Sequence, residues 1–160
     1  MRERRADEER VRAREFEAYV AGAGGRLLHA ATLLTAEPPG AAPEAQRLLV
    51  GALAHTCVAW GRLRGEDPYD HTRQEIAARF AHHAWRYRRS RGGLLGLLPP
   101  QERLILVLRL YEGVAEEQTA AGLGLPVERV RALCSRAMST MLSRDAAPLP
   151  SSLRHVEGIV

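Results

Sequence analysis

The chain predicts an all-α protein built from two helical units, and three observations carry that prediction. Apolar residues recur at helical spacing in successive segments between Phe16 and Leu142. Clusters of Gly and Pro separate those segments. The composition, 46% hydrophobic but only 5% aromatic, provides aliphatic side chains for the core of a globular protein.

At 160 residues the chain can form one medium domain or two small ones. All 23 basic residues are Arg, and neither Lys nor Asn occurs; we read this as the imprint of a GC-rich genome, which bears on source and not on function. The net charge of +4 and a pI near 9.7 permit nucleic-acid binding, so the placement of the Arg residues matters more than their sum.

Residues 1–15 mix acids and bases and read as a charged N-terminal extension, or as the polar first turns of the next helix. From Phe16 to Leu34 the apolar positions Phe16, Tyr19, Val20, Leu27, Leu28, Ala31 and Leu34 predict a helix, with a bend or break at Gly22, Gly24 and Gly25. The segment from Ala36 to Pro43 is a loop by composition.

A second helix is predicted from Glu44 to Leu63, with Leu48, Leu49, Ala52, Leu53, Thr56, Val58 and Trp60 facing the core. The turn Gly65-Glu66-Asp67-Pro68 ends it, and Asp67 is placed to cap a third helix from Tyr69 to Arg89 that carries Ile76, Phe80, Ala84 and Trp85. That helix closes in WRYRRSR, which sets Arg86, Arg88, Arg89 and Arg91 beside Trp85 and Tyr87. Arg forks pair with phosphate and exposed rings stack on unpaired bases, so this run suits single-strand contact; a solvated helix end is the plainer reading. Gly92 and Gly93 read as a hinge, and 92–98 as a short linker.

From Pro99 to Leu142 the chain reads as three helices, divided by Gly113 and by the Leu123-Gly124-Leu125 corner, in the pattern of a helix-turn-helix. The last helix has an apolar series of Val130, Leu133, Cys134, Ala137, Met138, Met141 and Leu142. Its opposite face presents Glu128, Arg129, Arg131, Ala132, Ser135 and Arg136. A small residue between Arg129 and Arg136 lets a helix approach DNA closely, with Arg available for guanine edges or phosphate. Residues 145–160 are Pro-rich and read as an irregular tail.

Several of these residues resemble a known family. Leu-Pro-Pro before Gln-Glu-Arg (Leu98 to Arg103), Tyr111-Glu112-Gly113, Leu123-Gly124 at the turn and Ser135-Arg136-Ala137 in the last helix are similar to region four of extracytoplasmic-function (ECF) sigma factors, above all the actinobacterial sigma-E-like group. The segments FEAYV, LLHAATLL, ALAHTCVAWGRL and WRYRR resemble region two of the same family in order. The resemblance implies a region-two-like helical domain over 16–91 and a region-four-like domain over 99–144. It implies a transcription initiation factor that directs RNA polymerase to promoters. Promoter DNA, core RNA polymerase and an anti-sigma or other regulatory protein are the implied partners. Arg129, Arg131, Ala132, Ser135 and Arg136 would contact upstream DNA, and Trp85, Arg86, Arg88, Arg89 and Arg91 the downstream element or polymerase.

The sequence departs from the family at four places. Arg47, Leu48, Leu49 and Val50 stand where the family has the Asp-Leu-Val-Gln used for polymerase docking, and Arg47 reverses the sign of that contact. Only Ser90 to Gly93 separate the two parts, too short a link to thread a channel and short enough to pack them together. Ala115 and Pro126 replace the helix-starting Ser residues, a loss of about 1 kcal/mol for a missing cap. Glu128 and Arg129 replace small and polar residues at the start of the reading helix. An alternative therefore stands beside the sigma reading: a degenerate regulator that does not dock on polymerase and acts by binding a partner protein or DNA alone.

Cys57 and Cys134 lie far apart with no CxxC, so neither a disulfide scaffold nor a zinc ribbon is suggested. No two of His29, His55, His71, His82 and His83 have the i, i+4 spacing of a helical zinc site, so no metal and no cofactor is expected. No phosphate loop, nucleophile elbow or coherent carboxylate pair points to an enzyme. The lack of a long apolar run or signal-like N-terminus predicts a cytoplasmic protein without membrane contact.

Overall fold

The computed structural model describes residues 1–146, and among them the fold is all-α. Six helices succeed one another: α1 (Arg2–Thr35), α2 (Pro43–Ala59), α3 (Pro68–His82), α4 (Pro100–Leu106), α5 (Glu116–Leu123) and α6 (Val127–Asp145). The tail expected from residue 145 falls, beyond Ala146, outside the described residues.

Helix α1 runs 34 residues without interruption, which corrects the break expected at Gly22, Gly24 and Gly25. Each Gly costs a helix roughly 0.5–1 kcal/mol relative to Ala. Tertiary packing on both sides overrides that cost. On the N-terminal side Phe16 meets the Trp60 ring edge-on at 5.3 Å and Tyr19 packs 5.4 Å from it. On the C-terminal side Leu27, Ala30, Ala31 and Leu34 are buried in the main core. Residues 2–15, the expected charged extension, are the solvated first turns of this helix.

Helix α1 ends at Ala36, whose left-handed φ of 54° turns the chain sharply. At the next residue, the buried Glu37 carboxylate accepts the backbone N–H groups of Glu44 and Ala45 at 3.2 and 2.8 Å. Ala42 has no side chain with which to cap α2, so Glu37 supplies the missing acceptor and places its charge at the positive end of the helix.

Helix α2 buries Leu48, Leu49, Ala52 and Thr56, as its spacing predicts, and then tightens into a 3-10 turn over Trp60–Arg62. Val58 is 80% exposed, which corrects its expected place in the core: it lies beyond the edge of the stripe that Ala52, Thr56 and Ala59 define. Asp67 caps α3 as expected, accepting the Tyr69 N–H at 2.9 Å. Hydroxyls tie the three helices together, with the half-buried Tyr19 Oη 2.7 Å from the buried Thr72 Oγ1 and Thr72 Oγ1 2.8 Å from the buried Thr56 Oγ1.

The third predicted helix is shorter than expected. α3 stops at His82, and Ala84–Tyr87 form a separate 3-10 turn. That change of pitch exchanges the roles of two aromatic residues. Tyr87 is 5% exposed and stacks on the fully buried Phe80 at 4.9 Å, whereas Trp85 is 64% exposed.

Gly92 and Gly93, expected to act as a hinge, are instead pinned to the end of α1. The Arg91 and Gly93 N–H groups both donate to the Ala36 carbonyl, at 3.1 and 2.8 Å. A Cβ on Gly93 would lie 2.3 Å from the Ala36 carbonyl carbon, so only Gly allows this approach. Leu95 and Leu98 then enter the main core, which runs on through Leu104, Val107, Leu108, Val114 and Ala137. Residues on both sides of 92–98 thus share one apolar cluster.

Arg103 crosses the same region from α4. It is fully buried and donates to the Leu98 carbonyl at 2.8 Å and to the Leu34 carbonyl at 3.1 Å, satisfying a free carbonyl at the negative end of α1. Burial lowers its pKa.

Candidate nucleic-acid interface

The helix-turn-helix is assembled around a small second core of Ile105, Ala120, Val130 and Leu133. α4 continues into a π-helical turn at Val107–Tyr111, and Gly113 then turns the chain with a φ of 67°. Arg109 donates to the Val114 carbonyl across that turn. Gly124, at φ 64°, terminates α5, and Pro126 opens α6. Neither Ala115 nor Pro126 offers a side-chain cap.

Burial on α6 follows the expected face at Val130, Leu133 and Ala137. Its C-terminal end corrects the expectation: Met138 is 41% and Leu142 66% exposed, because the helix runs past the core it packs on. The opposite side presents Glu128, Arg129, Arg131, Ala132, Ser135 and Arg136 to solvent together.

The charges on that face are not equivalent. Arg131 Nη2 lies 2.6 Å from Glu116 Oε1 at the start of α5, and this hydrogen-bonded partner raises the guanidinium pKa. Arg136 Nη1 lies 3.6 Å from Glu102 Oε1, a carboxylate that is nearly buried. Among the described residues Arg129 forms no ion pair, and neither it nor Arg131 is paired to the neighbouring Glu128. The sequence showed where these Arg residues project, but not that acids from α4 and α5 reach two of them.

The second Arg group lines a concave surface. A cleft of about 720 Å³ is bounded by Glu44 and Arg47 from α2 and by Trp85, Arg86, Arg88, Arg89, Ser90 and Arg91. The Arg86 guanidinium sits 5.4 Å from the centre of the exposed Trp85 ring. Tyr87, which the sequence also offered for stacking, is withdrawn beneath the cleft. Burial raises its pKa, and Glu44 raises it further. The cleft combines exposed guanidiniums with one accessible aromatic face, which suits phosphate and base together.

Arg47, Leu48, Leu49 and Val50, which the resemblance sets at a docking position, divide between inside and outside. Leu48 and Leu49 are buried in the main core, while Arg47 and Val50 are exposed. Arg47 pairs with Glu44 at 2.8 Å and belongs to the Arg cleft.

Sequence reasoning missed one polar assembly that fixes the helix-turn-helix against α1 and α3. The Glu112 side chain is only 1% exposed, and the Tyr69 hydroxyl donates to its carboxylate, lying 2.9 Å from both oxygens. Arg26 approaches Glu112 at 3.9 Å, lies over the Tyr69 and Tyr111 rings, and donates to the Tyr111 carbonyl at 3.1 Å. The Tyr111-Glu112 pair was legible only as part of a family-like motif, since its partners are 43 or more residues away in sequence.

This assembly has a pH signature. Burial, then the hydrogen bond to Glu112 and its charge, raise the Tyr69 pKa above its ordinary value of 10. A raised pKa means that the folded state holds the proton more tightly, so the stability it contributes is complete below pH 10 and is lost as pH rises beyond it. Unfolding free energy measured by urea titration is therefore expected to fall above about pH 10. Tyr69→Phe should flatten that fall, and should cost about 1–3 kcal/mol at neutral pH by leaving the buried Glu112 carboxylate with one partner fewer. An equal alkaline slope in both proteins would remove Tyr69 as its source.

One further grouping carries no site. His55 Nδ1 and His71 Nε2 lie 3.2 Å apart, but among the described residues no group of three or more His, Cys, Asp or Glu is placed to hold a metal. Among those residues no helix is long and apolar enough to cross a membrane.

Residues 94–141, the helix-turn-helix together with its approach, match the family described as Sigma-70, region 4. No curated protein and no solved structure matches the chain.

Proposed function

We propose that this protein is a DNA-binding transcription initiation factor of the sigma-70 type, related to the ECF sigma factors and in particular to their actinobacterial sigma-E-like group. It is a non-enzymatic protein of the cytoplasm that directs RNA polymerase to specific promoters. The observation that carries this reading is the region 4 match over a helix-turn-helix whose α6 presents Arg129, Arg131, Ala132, Ser135 and Arg136 on one exposed face. In this reading 16–91 is a region-two-like domain whose cleft, with Trp85, Arg86, Arg88, Arg89 and Arg91, meets the melted downstream promoter. The 99–144 unit reads the upstream element.

A second reading is favoured by a specific observation. Leu48 and Leu49 are core residues, and Arg47 faces the cleft, so the docking position offers polymerase little of the family's acidic surface. The protein would then be a sigma-derived regulator that acts on DNA or on a partner protein without polymerase.

Incubating the purified chain with core polymerase and promoter fragments separates the two. The first reading expects co-elution with polymerase and a promoter-dependent transcript. DNA binding that weakens with salt, in the absence of polymerase binding, leaves only the second. Loss of both leaves a protein-binding module.

A further inference from the structure

The five guanidiniums of the Arg cleft share it with one carboxylate, and that carboxylate is held by one of the five. Glu44 and Arg47 lie one helical turn apart on α2, joined at 2.8 Å, and both line the cleft with Arg86, Arg88, Arg89 and Arg91. The N-terminus of α2, which would otherwise attract an anion, is already occupied by the Glu37 carboxylate. The affinity of the cleft for phosphate is therefore set by side chains alone.

We propose that the Glu44–Arg47 pair is an electrostatic governor of this cleft: Arg47 is a nucleic-acid-contacting residue, not a polymerase-docking one, and Glu44 restrains its contact with phosphate. The proposal rests on the nucleic-acid reading of the cleft. A strand passing between Trp85 and the Arg residues encounters Glu44 as a repulsive group, and Arg47 masks that repulsion. Removing Arg47 uncovers a carboxylate facing the phosphates. Removing the Glu44 charge releases a guanidinium to them.

The pair also suits mutation. The Arg47 side chain is 77% exposed and the Glu44 side chain 23%, so the pair is open to solvent on the Arg47 side and contributes little to folding, and Gln keeps the shape of Glu, so both variants should fold normally.

The test measures fluorescence anisotropy of a short fluorescein-labelled oligothymidylate across a potassium chloride series, using the full chain. Glu44→Gln is expected to tighten binding about threefold to tenfold and to steepen the salt dependence by about 0.7, the increment for one added single-strand phosphate contact. Arg47→Ala is expected to weaken binding by a similar factor, and the double variant to return near the parent. Arg88→Ala combined with Arg89→Ala serves as the reference for the cleft itself. If that reference pair leaves binding unchanged, the nucleic-acid reading of the cleft falls. If it weakens binding but Glu44→Gln and Arg47→Ala do not shift it in opposite directions, the reading survives and the governor is overturned. Loss of polymerase co-elution in Arg47→Ala, with oligonucleotide binding intact, would return Arg47 to a docking role and also overturn the proposal.

Discussion

Phe80→Ala is expected to lower the unfolding free energy by about 3–5 kcal/mol and to dismantle the Arg cleft with it. Phe80 is fully buried in the main core and carries the Tyr87 ring on its face at 4.9 Å. The loss combines the transfer energy of a large aromatic group, the cavity left behind and the stacking partner of Tyr87. Against a total stability of about 5–15 kcal/mol for an ordinary domain, this is a large fraction. A fall in Tm of about 6–20 °C should accompany it.

The functional half of this prediction follows from the turn at Ala84–Tyr87. Tyr87 is the one residue of the WRYRRSR run buried in the core, so it anchors the flanking Arg side chains over α2. Once Phe80 is gone, oligonucleotide binding should weaken even where the variant is still folded. Trp85→Ala makes the contrast: at 64% exposure it should leave Tm within about 1 °C while weakening strand binding through lost stacking, which is worth roughly 1–3 kcal/mol per base. A Phe80→Ala protein with unchanged Tm would show that the ring is not the pin of this region. Calorimetry and anisotropy read the two halves separately.

Trp85 and Tyr87 also show where sequence reasoning reaches its limit. The helical spacing of Leu48, Leu49, Ala52, Ile76, Phe80, Val130, Leu133 and Ala137 was legible because burial repeats with the helix period, and each of these lies in the core. A change from α to 3-10 pitch at His83 breaks that period, and nothing in the local composition announces it. The glycines of α1 misled for the opposite reason: their propensity is local, while the contacts that hold the helix straight come from Trp60 and from the main core.

Buried charge was harder still to read. Glu37, Glu102, Arg103 and Glu112 look like surface residues in a sequence, yet Glu37 caps α2, Arg103 closes α1, and Glu102 and Glu112 meet Arg136 and Tyr69. Each is explained by a partner on another element, and partners are set by packing. The same holds for the Arg-bearing face of α6. Its Arg residues were found by counting along the helix, but their relative freedom depends on Glu116 and Glu102.

That unequal freedom yields the largest expected functional effect. Arg129→Glu combined with Arg131→Glu should weaken duplex DNA binding by roughly two orders of magnitude or more at low salt. It should also flatten the salt dependence by about 2, since two phosphate-attracting groups become repulsive. Both side chains are exposed, so the fold should survive, and oligothymidylate binding at the Arg cleft should stay near the parent value. The single Ala variants should rank. Arg129 forms no ion pair among the described residues and is ready for DNA, whereas Arg131 must share itself with Glu116 at 2.6 Å. Arg129→Ala is therefore expected to cost more than Arg131→Ala, and Glu116→Gln to tighten duplex binding by freeing Arg131. Equal losses from the two Ala variants would mean that DNA displaces Glu116 outright. Duplex affinity left intact in the double Glu variant would move the DNA-reading surface off α6 altogether, and with it the sigma-type reading of the helix-turn-helix.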